Sequence, residues 1–415
     1  MKIAILTNEY PPNIYGGAGV HVDNLTRELA RIENGAHSVE VLCFGGQKEE
    51  GPGLRVTGMD SGYPFKFRNR ETEKMADVLL HDVLMAGALE DADIIHCHTW
   101  YTHFAGCLLK QFLGVPMVLT THSLEPNRPW KAEQLGAAYR VSSWLEKTAY
   151  ENADGVVAVS SAMKSDVERL YGVPSEKVRV IYNGISTSEY VPDPENSVLE
   201  KYGIDPEKPF LLFVGRITKQ KGIIHLVNAI PHIREGVQIV LCAGAPDTPR
   251  IGAEMTREVE KARRTGRNPI IWIPEFLPKK EIVSLYSMAF LFVCPSIYEP
   301  FGLINIEAMA CGTAVVGSAV GGIPEIIVDG ETGLLVPFEP VSAYESEPRD
   351  PEGFSRDLAD AVNKLLASPE QTRKMGLRGR ERVREVFSWR SIAEQTVAFY
   401  RELVAGKSEH APIKA

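Results

Sequence analysis

Short apolar runs recur along the chain, and between them apolar residues fall three and four positions apart. Short runs bounded by turn residues read as buried strands. In the first half these are 2–7, 38–44, 93–98, 116–121, 155–160 and 177–182. In the second half they are 210–214, 238–243, 269–273, 290–295 and 314–318. After the first run, Val22, Leu25, Leu29 and Ile32 line one face of a predicted helix. Strands alternating with helices predict α/β architecture, with parallel sheets covered on both faces. So many strands exceed one comfortable sheet, and the chain is too long for one ordinary core. Two doubly wound domains follow. Their boundary is expected near 190–208, where Pro192, Pro194, Pro206 and Pro209 sit among acidic residues. This divides the chain into 1–195 and 196–388. The segment 338–352 reads as an acidic loop, and the tail after Ala405 as frayed.

Charge narrows the partners. A formal net charge of −9 argues against nucleic acid or an anionic membrane as the main partner. No apolar run approaches the ~20 residues of a membrane span. The first run stops at Thr7-Asn8-Glu9, too soon for a signal peptide. Cys43, Cys97, Cys107, Cys242, Cys294 and Cys311 form no CxxC pair and read as reduced core residues of a cytoplasmic protein.

In open parallel sheets ligands bind at the carboxyl ends of the strands. The chemistry-bearing motifs lie just after strand candidates, and two such edges facing each other would form a cleft. Glu299-Pro-Phe-Gly-Leu-Ile-Asn-Ile-Glu307 follows the run 290–295. Pro300 and Gly302 make a helix through Glu299 unfavourable, so Glu299 is a loop residue and Glu307 lies in the next helix. Between them lie the free N–H groups of a helix start, a natural place for an anion. Two carboxylates flanking a phosphate site suit a sugar nucleotide. Gly215-Arg216-Ile-Thr-Lys-Gln-Lys221-Gly222 follows the run 210–214 and puts cations where a departing diphosphate would need them. Its alternative is a solvated basic loop. Gly16 and Gly17 follow the first strand and let backbone approach a ligand, unless they form a mere turn. Gly321 and Gly322 precede Pro324 and open either a second phosphate-facing helix start or an ordinary turn.

Histidines cluster in the first half. His122 closes one strand, and His96, His98 and His103 lie nearby in sequence. They have no Cys or acidic companion at zinc spacing, so no metal is expected. Asp91-Ala92-Asp93 precedes its strand, at the wrong edge of a sheet for a DxD metal motif.

Together these residues resemble the retaining glycosyltransferases of family 4, built from two Rossmann-like domains in the GT-B architecture. The resemblance rests on the Gly16-Gly17 loop, Gly215-Arg216…Lys221-Gly222, and Glu299 with Glu307. It covers nearly the whole chain. Phe387-Ser388-Trp389-Arg390 and the following helix 391–404 look like the family's terminal crossover, so 389–415 is expected to rejoin the first domain. Finer features resemble the actinobacterial-type glycogen synthases, which use ADP-glucose to make α-1,4-glucan or α-maltose-1-phosphate. These features include the stretch from Glu9 to Val22, His96-Cys-His-Thr-Trp, and Thr121 to Leu135. Bacterial glycogen synthases of the other type carry a Lys where this chain has Ile14 and an Asp where it has Thr99.

The resemblance implies roles. Arg216 and Lys221 bind the diphosphate, Glu299 the glucose hydroxyls, and Glu307 the ribose. The N–H groups near Gly302 and Leu303 face phosphate or sugar. His122 lies over the glucose, and Gly16 and Gly17 close on the donor. His98, Arg128, Trp130 and Lys131 are acceptor candidates, the last three for a sugar phosphate. The expected substrates are a nucleotide sugar, with ADP-glucose favoured over UDP-glucose, and a glucan or glucose-1-phosphate. No metal or other cofactor is expected. Competing readings are a mannosyl- or sucrose-forming member of the same family, a nicotinamide oxidoreductase, and a non-catalytic sensor. The oxidoreductase lacks support because no GxGxxG opens a helix after a strand.

Overall fold

The computed structural model describes residues 1–62, 66–67, 69–128, 131–342 and 345–409. The chain divides into two compact units, Met1–Gly184 with Trp389–Ala415, and Ile185–Ser388. The division falls ahead of residue 195 because 185–195 bonds into the second unit. Asp193 N–H donates to Ser287 Oγ at 3.0 Å, and Glu195 N–H to Ser284 Oγ at 2.9 Å.

The first unit holds an eight-stranded sheet. Its order is Lys48–Gly51, Leu54–Met59, Ser38–Phe44, Lys2–Thr7, Ile94–His98, Met117–Thr121, Gly155–Ala158 and Val178–Val180. All neighbours pair parallel except the edge strand Lys48–Gly51. The strand order reverses at Lys2–Thr7, which makes the carboxyl ends of Lys2–Thr7 and Ile94–His98 a switch point. Helix Gly17–Gly35 buries Val22, Leu25 and Leu29 on the stripe its spacing predicts; Ile32 is buried too, but at a kink over Ile32–Asn34 where the backbone leaves the helical region. The terminal helix Trp389–Glu409 contributes Trp389, Ile392, Val397, Phe399 and Tyr400 to this unit's core. Each such fully buried side chain contributes roughly 1.5–3 kcal/mol. The helix runs on past Ala405 to Glu409, further than the composition suggests.

The second unit holds a six-stranded parallel sheet in the order Ile270–Ile273, Gln238–Gly244, Phe210–Arg216, Leu291–Cys294, Val315–Ser318 and Gly333–Val336. Its switch point lies between Phe210–Arg216 and Leu291–Cys294. Both units are therefore Rossmann-like α/β domains, the GT-B architecture. Leu54–Met59, broken by Arg55 and Gly58, and the short Gly333–Val336 are strands outside the apolar runs read from the sequence. Within the supposed loop 338–352, Pro340–Ser342 and Glu345–Pro348 form a small antiparallel pair. No helix among the described residues is long and apolar enough to cross a membrane.

Candidate active site

In the second unit, strand Phe210–Arg216 ends in the turn that carries Lys221 and Gly222. Gly222 has φ of 59°, and a Cβ there would lie 2.0 Å from the Pro295 carbonyl oxygen. Only glycine lets this turn seat itself against the loop after Leu291–Cys294, where Ile297 N–H donates to Gln220 O at 3.0 Å. That seating brings Lys221 Nζ to 2.7 Å from Glu299 Oε2. Ser296 Oγ donates to the same oxygen at 3.2 Å. Burial lowers the Lys221 pKa, but the Glu299 carboxylate more than offsets it, and the net shift is upward. Arg216 pairs with Asp247 at 2.9 Å. Asp247 stands just past strand Gln238–Gly244. Nothing in the local sequence marks it, because its role comes from the adjacency of two strands.

Helix Leu303–Ala310 begins after Gly302, whose φ of 118° favours glycine. Glu299 sits in the loop before it, and Glu307 lies within it. The hydroxyls of Tyr190 and Tyr286 donate to the two Glu307 oxygens, each at 3.0 Å. Burial raises the Glu307 pKa, and the two tyrosine hydroxyls oppose that rise. Asn305 is buried, and neither of its amide atoms has a hydrogen-bond partner among the described residues.

Gly321 and Gly322 serve the same loop. A Cβ on Gly321 would lie 1.9 Å from Glu299 O, and one on Gly322 would lie 2.7 Å from Phe301 Cα. Gly322 N–H donates to Glu299 O at 2.9 Å. The helix they open, Ile323–Ile326, is a single turn. These glycines let two backbones meet and thereby hold the Glu299 loop.

In the first unit, Glu9 folds the glycine loop. Its Oε2 accepts N–H bonds from Tyr15 at 2.9 Å and Gly16 at 2.8 Å. The start of helix Gly17–Gly35 thus already holds a carboxylate. The histidines gather at the switch point. His98 Nδ1 lies 2.9 Å from His122 Nε2. His96 is held between Tyr400 Oη at 2.5 Å and Thr120 Oγ1 at 2.6 Å. His21, from the helix after the glycine loop, meets Asn183 Oδ1 at 2.6 Å through Nδ1. His98 is fully buried, whereas His122 is half-buried. His98 therefore meets His122 rather than solvent. Burial drives the His98 and His122 pKa values well down, and that of His21 to about 4. All three imidazoles are neutral at pH 7.

Among the acceptor candidates, Arg128 Nη1 donates to Ser123 Oγ at 2.8 Å and lies 3.7 Å from Glu125 Oε1. Lys131 begins the short helix Lys131–Leu135. Trp130 lies outside the described residues. Asp91 pairs with Lys2, and Asp93 Oδ2 accepts the Lys2 N–H at 2.8 Å. The DxD therefore sits at the amino end of its sheet, away from the histidines.

Comparison with known proteins agrees with this geometry. Residues 15–189 match the model of Glycosyltransferase Family 4, and residues 195–382 match that of Glycosyl transferases group 1. An α-maltose-1-phosphate synthase of Mycolicibacterium smegmatis is 47% identical, across 98% of this chain and 100% of that protein. The chain belongs to glycosyltransferase family 4. It is an enzyme, a glycosyltransferase. A glycogen synthase of Mycobacterium tuberculosis is 29% identical, across 99% of this chain and 97% of that protein. Among solved structures, the sucrose-phosphate synthase of Thermosynechococcus elongatus superposes with a TM-score of 0.77 at 28% identity, covering 98% of this chain and 99% of that one. As a family 4 member, the chain has its Lys221–Glu299 pair at the switch point of the second domain and its histidines at that of the first.

Proposed function

We propose that this chain is a retaining glucosyltransferase of α-glucan synthesis. It moves glucose from a nucleotide sugar, ADP-glucose in preference to UDP-glucose, to an α-1,4-glucan or to glucose-1-phosphate. The observation that carries the reading is the Lys221–Glu299 pair beside Arg216, at the carboxyl ends of the central strands of the second unit. Two cations and a carboxylate there suit a diphosphate next to a hexose. The 47% identity to an α-maltose-1-phosphate synthase supports the glucosyl donor and the sugar-phosphate acceptor.

In this reading Arg216 and Lys221 take the diphosphate and stabilise its charge as it leaves. Glu299 accepts from glucose hydroxyls, and Glu307 from those of the ribose. The N–H groups of Gly302 and Leu303 face phosphate or sugar. His122 lies over the glucose as a neutral imidazole. Arg128 and Lys131 take an acceptor phosphate. The anomeric C–O bond to the diphosphate breaks while the acceptor oxygen bonds to the same face of the sugar. The acceptor proton passes to the departing phosphate oxygen. Glu299 is set aside as a nucleophile because the family resemblance gives it to the sugar hydroxyls; its Oε2 accepts from Lys221 and Ser296. Catalysis then rests on positioning and charge stabilisation, with no metal required.

The deciding experiment offers ADP-, UDP- and GDP-sugars with either glycogen or glucose-1-phosphate and identifies the product by mass and anomeric NMR. The expected product is an α-linked glucoside from ADP-glucose. Transfer from GDP-mannose alone, or a β-linked product, would overturn the reading.

A further inference from the structure

Three imidazoles converge at the switch point of the first unit from three different elements. His21 comes from helix Gly17–Gly35, His98 from the last position of strand Ile94–His98, and His122 from just after Met117–Thr121. Their coordinating nitrogens all lie within 4.8 Å of one another. A tetrahedral zinc ion with Zn–N bonds of about 2.0–2.1 Å holds its nitrogens roughly 3.3 Å apart. The 2.9 Å between His98 Nδ1 and His122 Nε2 needs to widen by only a few tenths of an ångström. A metal ion would take the place of the proton those two rings share.

His21 supplies a second, independent sign. Its Nδ1 faces Asn183 Oδ1 at 2.6 Å, and an amide oxygen can only accept. The ring proton therefore sits on Nδ1, and Nε2 is left as a bare lone pair. That Nε2 is buried and has no hydrogen-bond partner among the described residues. An imidazole oriented by an outer carbonyl-type oxygen, with its second nitrogen free, is the usual state of a metal-ligating histidine. His96 cannot join, because both its nitrogens are engaged by Tyr400 and Thr120. Half-buried His122 leaves a way in.

We propose that His21, His98 and His122 form a binding site for a borderline-soft divalent ion such as Zn²⁺, and that filling it silences the transferase. The inhibitory half rests on the role proposed for His122, since the ion and the sugar compete for that ring. The ligand set is nitrogen only, which suits zinc, copper or nickel and disfavours magnesium or calcium.

The test uses the full chain after treatment with a chelator. Co²⁺ is titrated and followed by its visible absorption, and Zn²⁺ binding is followed by calorimetry. Neither readout depends on turnover. One ion per chain is expected, with a tetrahedral Co²⁺ spectrum. Asn183→Ala, which removes no ligand, should weaken binding about 10–100-fold. His21→Gln should abolish the spectrum, with circular dichroism checking its fold. If His21→Gln fails to fold, ¹⁵N shifts of the three imidazoles in the wild type on adding Zn²⁺ serve instead. No tetrahedral spectrum, equal affinity in Asn183→Ala, or unmoved imidazole shifts would overturn the site. In assays, Zn²⁺ should inhibit and EDTA should restore activity. Full turnover with the ion bound would overturn the inhibitory half alone, while failure of ADP-glucose turnover would count against the proposed reaction and leave the metal titration intact.

Discussion

Lys221 Nζ and Glu299 Oε2 form a 2.7 Å ion pair in which the carboxylate is almost fully enclosed, with only 7% of its side chain exposed. Removing one partner of a buried pair strands the other charge, at a cost of about 3–5 kcal/mol. Lys221→Ala should therefore lower the melting temperature and reduce kcat about 100–1000-fold. Adding Glu299→Gln removes the stranded charge. The double variant should regain most of the melting temperature and none of the turnover. Calorimetric melts alongside steady-state kinetics check both halves, and recovery of activity in the double variant would refute the catalytic assignment.

Asp247 lies 2.9 Å from Arg216 and has no other proposed task. It acts as a positioning residue, keeping the guanidinium aimed along the strand end. Asp247→Asn preserves its size and removes its charge. The donor KM should rise about tenfold, equivalent to about 1.4 kcal/mol, with kcat changed much less. An unchanged KM would mean that Arg216 is held by other contacts.

Tyr190 and Tyr286 each donate to one oxygen of Glu307. A hydrogen bond to a charged group contributes about 1.5–3 kcal/mol. Tyr190→Phe should weaken ADP binding by about tenfold or more, while Glu307→Gln should weaken it further. Isothermal calorimetry with ADP reads this without acceptor or turnover. Equal affinity in wild type and Tyr190→Phe would exclude Tyr190 from holding the ribose-facing carboxylate.

The buried histidines predict acid sensitivity of the first unit. Burial lowers the pKa of His21 to about 4 and that of His96 to about 3, against about 6.5 when unfolded. Below pH 6.5 the unfolded chain binds protons that the folded chain refuses, so stability falls as pH falls. The loss grows from pH 6.5 down to about pH 4 for His21 and to about pH 3 for His96. For His21 alone it reaches about 3 kcal/mol near pH 4. Urea unfolding between pH 7 and pH 4, compared with His21→Gln, should give a shallower pH slope in the variant. Identical slopes would mean that His21 is already protonated in the fold.

Much of the architecture was legible in the residues. Every apolar run read as a strand is one, and the run before Pro295 does lead through a loop carrying Glu299 into a helix carrying Glu307. These are local statements: period, proline and glycine decide them within about ten residues. Gly333–Val336 is hard to read because it is a short edge strand, and Leu54–Met59 because Arg55 and Gly58 interrupt its apolar pattern. The pair Pro340–Ser342 and Glu345–Pro348 lies in a segment whose acidic, proline-containing composition reads as loop.

The contacts that shape the site were less legible. Glu9 closes the glycine loop, Asp247 holds Arg216, Tyr190 holds Glu307, and Asn183 orients His21. The last three join residues from 31 to 162 positions apart. No periodicity links them, since the partner is chosen by which strand ends lie side by side. His98 shows the same limit. In the sequence it is a histidine at a strand end and a candidate to meet an acceptor. In the fold the sheet encloses it, and its contact is His122.

By itself the sequence determined that the protein has two α/β domains, where the strand ends fall, and which charged and glycine residues stand at them. Backbone propensity and hydrophobic burial act locally enough for that to be read off. Only the tertiary structure decided which of those residues meet. Two sheets reverse their strand order at Lys2–Thr7 and at Phe210–Arg216. Each reversal brings together loops that are distant in the chain, and the Lys221–Glu299 pair and the His21–His98–His122 cluster exist because of it.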